Sequence, residues 1–315
     1  MNLTFIDLFC GIGTIRMGME QAGHKCVYSV EWDKHKRQIY KIIFGKEPEG
    51  ADIRATNATD IPRADMWCFG APCQDFSIAG KRAGLEGDRS SLVSEVFRLV
   101  RETPEEYRPK YILYENVKGM LSSNKGFDYL EILYQMDALG YDVEWELLNS
   151  KNFGVPQNRE RVFTVGHLRG RGTGKVFPLE YEVNEYSTIG KSTKTTVART
   201  LTAGGHSGGN HSGMTMINVI GMLDIHGQDN IRRVYGIDGL SPCITPCEGG
   251  NRQPKILIEG RLRRLTPREF WRLQSISDLI IDKVMLAGIS DTQMYRGAGD
   301  ACTTKVILEI GKKLT

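Results

Sequence analysis

The chain has 315 residues, 40% hydrophobic and 25% charged; this excludes a fibrous or disordered chain and is enough for one large domain and a small one. No stretch approaches the roughly 18 apolar residues of a membrane span; no signal peptide is expected ahead of "MNLTFIDLFCGIG", and seven scattered cysteines predict a reducing, cytoplasmic setting. The net charge of +3 divides unevenly, with 18 Lys and Arg against 10 Asp and Glu from Lys151 to Arg272 and 23 against 28 elsewhere, which points to a polyanion partner.

In chain order, "LTFIDLF" predicts a strand, followed by a glycine turn and a helix from Ile15 to Ala22. "KCVYSVEW" predicts a strand and "DKHKRQIYKIIF" a helix. A third strand, "ADMWCFG", ends just before Cys73. A helix in "SLVSEVFRLVRET", a strand in "KYILYENV" and a helix in "GFDYLEILYQMDALG" follow, then strands in "YDVEWELLN" and "RVFTVGHL". This alternation predicts an open, mostly parallel α/β sheet. Between Arg169 and Glu259 helical periodicity disappears, and eleven of the 35 glycines fall between Gly204 and Gly250. There "ARTLTAGGHSGGNHSGMTMI" and "LSPCITPCEGGNRQPKILI" resemble each other, which predicts a small, loop-rich β domain with a weak internal duplication. "TPREFWRLQSI" then starts a helix with Thr266 as N-cap and Pro267 at its first position. The last helix, in "DACTTKVILEIGKKL", is expected to be capped by Asp300. The division expected is 1–174, 175–260 and 261–315, the last part returning to the first domain.

Two ends of the sheet carry candidate chemistry. Gly11 and Gly13 let the backbone approach a ligand at a helix N-terminus. A dinucleotide pattern would want a third glycine where Arg16 stands. Strand two ends in Glu31-Trp32, a carboxylate for ribose hydroxyls and an indole for adenine to stack on. Asp52 and Ile53 fall where a third loop reaches the adenine edge. An adenosine pocket without a pyrophosphate signature points to S-adenosylmethionine. At the carboxyl edge of later strands fall Cys73, Glu115, Arg159 and Arg161. They could supply a nucleophile, a proton-sharing acid and an oxyanion partner. The bland alternatives are a small buried cysteine and a structural salt bridge.

"FIDLFCGIG", "EWD", "GADI", "GAPCQDFS", "ENV", "QNRER", "RLTPREFWRLQ" and "YRGAGDACTTKVI", in this order from Phe5 to about Ile307, resemble the DNA (cytosine-5)-methyltransferase family of bacteria and phages. The resemblance implies a Rossmann-like S-adenosylmethionine-dependent methyltransferase sheet with a target-recognition domain. It implies methyl transfer to C5 of cytosine in a specific duplex sequence, S-adenosyl-L-homocysteine as product, and no metal. Cys73 would add at C6, Glu115 hold N3 and N4, Arg161 bind O2, and Arg159 support the site. Phe9, Glu31, Trp32, Asp52, Ile53, Pro72 and Leu92 would line the donor pocket, with Gly11, Gly13 and backbone at Asp300 and Ala301. A polar loop from Gln74 to about Ser91 would close over a flipped base, with Gln74, Ser77, Lys81 and Arg89 on DNA. In the 175–260 segment Arg232, Arg233 and Arg252 are the candidate base readers. Partners expected are double-stranded DNA and no membrane, for a monomer, with a cognate restriction endonuclease left open.

Two departures stand out. Gly299-Asp300-Ala301-Cys302 replaces the family's Gly-Asn-Ser-Val, and Cys243-Ile244 stands where its recognition domains carry Thr-Leu. The absence of a C-x-x-C pair argues against zinc. Three rival readings are a tRNA cytosine-5 methyltransferase, a non-catalytic DNA-binding relative and a nicotinamide oxidoreductase. The glycine-rich segment opposes the first, the intact Cys73, Glu115 and Arg161 the second, and Arg16 the third.

Overall fold

Apolar side chains at every second position decide the large sheet, because successive residues of a strand face opposite sides. The computed structural model describes residues 2–71, 92–181, 218–226, 229–247 and 252–315. Strands β1 (Thr4–Leu8), β2 (Lys25–Val30), β3 (Met66–Phe69), β4 (Tyr111–Val117), β5 (Tyr141–Asn149) and β6 (Glu160–Leu168) line up in the order β2-β1-β3-β4-β6-β5. The first four are parallel; β6 runs antiparallel to both β4 and β5. The helices are α1 (Thr14–Gln21), α2 (Lys34–Phe44), α3 (Leu92–Glu102), α4 (Phe127–Ala138), α5 (Pro267–Arg272), α6 (Asp278–Leu286), α7 (Asp291–Asp300) and α8 (Thr304–Lys313).

On one face, Ile6, Leu8, Trp67, Phe69, Ile112 and Tyr114 pack against Val93, Val96, Phe97 and Val100 of α3 and Ile132 and Met136 of α4. On the other, Phe5, Met66, Cys68, Tyr111 and Leu113 meet Ile15 and Met19 of α1 and Val306, Ile307 and Ile310 of α8. The last helix therefore returns to the first domain, and the sheet is covered on both sides. Each fully buried large apolar side chain contributes about 1.5–3 kcal/mol, so these strands are held rigidly.

Beyond β6 the chain stays with this body. Val176, Phe177 and Leu179 are buried in the α1/α8 layer. Their backbone N–H groups donate to Glu144 and Glu146 of β5 at 2.6–3.2 Å. Residues 176–179 therefore pack with the large sheet.

A second sheet, β7 (Val219–Met222), β8 (Arg233–Tyr235), β9 (Lys255–Ile258) and β10 (Arg261–Arg264), has the order β10-β9-β8-β7. Its β8–β9 pair is parallel and the others antiparallel. Tyr235 and Ile256 join Phe270 and Trp271 of α5, Ile281 of α6 and Met294 of α7, while Val234 and Lys255, paired on the other face of the sheet, are buried as well. Ile12 of the glycine turn and Ile39 of α2 complete that cluster, which links the two sheets. The first copy of the duplicated segment lies outside the described residues.

α5 begins as expected: Thr266 caps it, its hydroxyl accepting from the Glu269 N–H while the Glu269 carboxylate accepts from the Thr266 N–H at 2.7 Å, with Pro267 next. Such a box is worth about 1 kcal/mol. The cap expected for the last helix is different. Asp300 is the final residue of α7, and Thr303 stands at the N-cap of α8. The Asp300 carboxylate instead receives Lys36 Nζ at 2.6 Å, a partner on α2 that local sequence does not reveal.

Candidate active site

The donor edge is built where β1 runs out. Phe9, Gly11 and Gly13 all take positive φ, and Gly13 N-caps α1. A Cβ on Gly13 would lie 2.3 Å from the Phe44 ring, so glycine is required there by close approach as well as by φ. Glu31, buried at the end of β2, locks this turn. Its Oε2 accepts the Gly11 N–H at 2.8 Å and its Oε1 the Asp33 N–H at 2.7 Å. Each oxygen keeps a second acceptor site, so the carboxylate is oriented but not exhausted. Beside it the Trp32 indole is 71% exposed among the described residues.

Arg16 has a structural use. It pairs with Glu20 at 2.7 Å, donates to the Tyr40 hydroxyl at 2.8 Å and stacks 4.1 Å over Phe44. Asp52 is less available than its sequence position suggests. Arg54 grips its carboxylate at 2.7–3.2 Å, which holds it below the usual carboxylate range, and reaches over the Trp32 ring. Ile53 is buried; Phe9 and Leu92 are half-buried against the α3/α4 layer. Beneath the glycine turn lies Asp7, fully buried. Burial pushes its pKa up to about 8, against the pull of the Arg16 amide and guanidinium.

The Gly299–Cys302 segment closes this edge. The Cys302 N–H donates to Thr14 Oγ1 at 3.2 Å, directly after the glycine turn. Arg296 reaches Asp33 at 3.3 Å alongside the Lys36–Asp300 pair.

The target edge lies across β4 and β6. Glu115 is opposite Phe163 in the register and Arg161 opposite Val117, which makes Glu115 and Arg161 diagonal neighbours on one face. Arg161 Nε is 3.2 Å from Glu115 Oε1, and both side chains are mostly buried. A Cβ on Gly70 would lie 3.0 Å from Glu115 Oε2, so the chain leaving β3 passes directly against this carboxylate. Arg159 is buried beside the pair. It donates to Cys243 Sγ at 3.3 Å, to the Ile244 carbonyl at 3.1 Å, and to the carbonyls of Gly299 and Ala301 at 3.1 and 2.7 Å.

The structure therefore brings Glu115, Arg159 and Arg161 together and adds Cys243, which the sequence reading did not single out as a site residue. Burial would raise that thiol's pKa, but Arg159 and Arg161 outweigh it and hold the thiol below the ordinary range. Gln157 was also missed. Fully buried, it donates to the Leu273 carbonyl at 2.8 Å and accepts the Ile244 N–H at 3.2 Å. The signal was its place at the head of "QNRER". Pro72, Cys73, Gln74, Ser77, Lys81 and Arg89 lie outside the described residues. Of the candidate base readers, Arg232 donates to the Leu223 carbonyl at 3.1 Å, Arg233 is half-buried next to Tyr235, and Arg252 is exposed. The exposed arginines of β10 (Arg261, Arg263 and Arg264) extend that basic surface.

Residues 3–315 match the family described as C-5 cytosine-specific DNA methylase. The chain belongs to that family. It is 34% identical over 332 residues to the type II methyltransferase M.HpaII of Haemophilus parainfluenzae, covering 99% of this chain and 89% of that protein. It is 45% identical over 166 residues to M.BsuFI of Bacillus subtilis, covering 53% of this chain and 39% of that one. The solved structure of the S. pombe Dnmt2 methyltransferase has the same fold, with a TM-score of 0.69 at 18% identity over 98% of this chain and 97% of that one. This C-5 cytosine-specific DNA methylase is thus a DNA (cytosine-5) methyltransferase.

Proposed function

We propose that this methylase transfers a methyl group from S-adenosyl-L-methionine to C5 of cytosine within a specific duplex sequence, through a flipped base and covalent addition of Cys73 at C6. The observation that carries this is the Glu115–Arg161 pair against Gly70. It is a carboxylate and a guanidinium on one strand edge, next to the root of the segment that holds Cys73.

Cytosine is unreactive at C5 until a nucleophile adds at C6. The Cys73 thiolate forms that C6–S bond and leaves C5 enamine-like. Glu115 holds the N4 amino group and a proton at N3, which offsets the charge the addition creates. Arg161 binds O2, and its ion pair with Glu115 fixes both groups before the base arrives. Once C5 has used its enamine electrons to bond the methyl group, a solvent water takes the C5 proton, the C5–H electrons re-form the C5=C6 double bond, and the C6–S electrons leave with Cys73.

The donor edge fits S-adenosyl-L-methionine: the Glu31 carboxylate is oriented with acceptor capacity to spare, and the Trp32 indole is largely exposed among the described residues. When bound there the donor supplies an electrophilic methyl group and leaves as S-adenosyl-L-homocysteine. Glu31 would hold its ribose and Trp32 its adenine. The basic second sheet and Arg252 would meet the duplex, and the Gln74–Ser91 segment would contact its phosphates. The names of the type II relatives support a restriction-modification role, in which a cognate endonuclease would be the partner.

A duplex with 5-fluorocytosine at the target cytosine tests the central step. Wild type should give a covalent complex that survives denaturation, and Cys73→Ala should give none while binding donor within about threefold. Trapping that persists in the alanine variant overturns the assignment.

A further inference from the structure

Arg159 grips two segments far apart in sequence, and each leads to a different ligand edge. From the residue just before β6 its Nη1 holds the Ile244 carbonyl and the Cys243 thiol, and its Nη2 the carbonyls of Gly299 and Ala301. The side chain is 2% exposed. Burial and the like charge of Arg161 both work against its cationic form, and no carboxylate pairs with it among the described residues. Simple packing would be served better by an apolar side chain of similar size, because an uncompensated buried charge is costly. What only a guanidinium provides is a planar fork that holds two chains in fixed relation.

Each gripped segment reaches a site. Past Ala301, the Cys302 N–H bonds Thr14 beside the glycine turn, and Asp300 pairs with Lys36 at the start of α2. On the other side, Cys243 touches Arg161, and Gln157 holds Ile244. Ser241 is tied to the large sheet by the Asn158 N–H at 2.9 Å. The two segments also touch without slack. A Cβ on Gly299 would lie 2.2 Å from the Pro246 nitrogen, so one cannot shift without moving the other.

We propose that Arg159 is a positioning residue that couples the donor pocket to the target-side segment 243–246, so that methyl donor and duplex DNA bind cooperatively through it. This rests on the reading of the two edges under Proposed function. A donor that orders residues 299–302 sets, through the Arg159 fork, the position of residues 243–246. By linkage a duplex that orders the latter must tighten the donor by the same factor.

The test uses the whole protein, S-adenosyl-L-homocysteine as a non-reacting probe, and a duplex of the sequence found methylated by bisulfite sequencing in cells expressing the wild type. Absence of any methylated cytosine there overturns the proposed function itself. In wild type, saturating duplex should tighten the probe within the ~5–150-fold range typical of coupled sites. In Arg159→Lys, whose single ammonium cannot hold both segments, the factor should fall to within about twofold of one. Gly299→Ala, which forces the segments apart with Arg159 intact, should lower it as well. It gives the same reading if the lysine variant does not melt cooperatively. A purely structural role would lower the melting temperature and weaken both ligands while leaving the factor unchanged. An unchanged factor in folded variants, or no coupling in wild type, overturns the inference.

Discussion

The two sheets are built on opposite principles. In β3 every residue is buried, and in β4 the first four are. In β10 all four residues, Arg-Leu-Arg-Arg, are exposed, and β7 is mostly exposed. The large sheet is fixed by apolar burial on both faces, which is what a constellation such as Glu115 and Arg161 needs to hold its geometry. The small sheet packs Tyr235 and Ile256 against α5–α7 and leaves its outer strand exposed, and under the proposed function arginines such as Arg261 would meet a polyanion there at little desolvation cost. Reaction rate and donor affinity should therefore respond to the first body, and DNA affinity and sequence choice to the second.

The largest expected effect tests the first half of that division. Glu115→Gln keeps shape but removes the charge paired with Arg161 and the proton-holding carboxylate. Methyl transfer should fall by roughly 10²–10⁴-fold. Duplex affinity, measured by filter binding, should stay within about threefold. A parallel fall in duplex affinity would show that Glu115 supports the fold rather than the reaction.

Trp32→Ala comes next. The indole is 71% exposed, so its removal should leave the melting temperature nearly unchanged. A stacking face is worth about 1–3 kcal/mol by analogy with base–aromatic contacts, so calorimetry should show probe affinity down about tenfold or more. Equal losses for probe and duplex would break the division between the edges.

The second sheet is tested by its arginines. Arg232 and Arg233 are engaged by neighbouring protein groups, whereas Arg252 is exposed next to β9. Arg252→Ala should relax the target at one base pair, at about 1–3 kcal/mol, with catalytic rate retained. Methylation profiling on random-sequence DNA reads this directly. Arg261→Ala should instead weaken binding evenly and reduce the salt dependence by about one phosphate contact. An unchanged target motif in Arg252→Ala would move base reading to other residues of the segment.

The parts legible in the sequence are those set by local pattern. Continuous apolar runs mark β1, β3 and β4 as strands covered on both faces, and Thr266-Pro267 starts α5. The antiparallel insertion of β6 between β4 and β5 was not legible, because strand order depends on which edges pair after collapse. Arg159 shows the same limit more sharply. Its partners lie 84 to 142 residues away, so its motif announces that it matters and not what it holds. At Asp52 the unread partner is nearer: two residues on, Arg54 bonds the same carboxylate.

Asp300 carries the smallest expected effect. As the last residue of α7, its charge faces the negative end of the helix dipole, an arrangement costing about 0.3–1 kcal/mol. The Lys36 contact at 2.6 Å offsets this, but the Asp300 side chain is 39% exposed, and such pairs return only about 0–1 kcal/mol. The two contributions nearly cancel. Asp300→Asn restores the family's amide and removes both at once, so the melting temperature should move by no more than about 2 °C. The donor is expected to meet backbone here, and the segment is held by Arg159 and Thr14 rather than by this side chain. Probe affinity should therefore be equal or slightly tighter, within about threefold by calorimetry. A marked weakening would mean that the Lys36–Asp300 pair, and not the Arg159 fork, holds the donor edge in place.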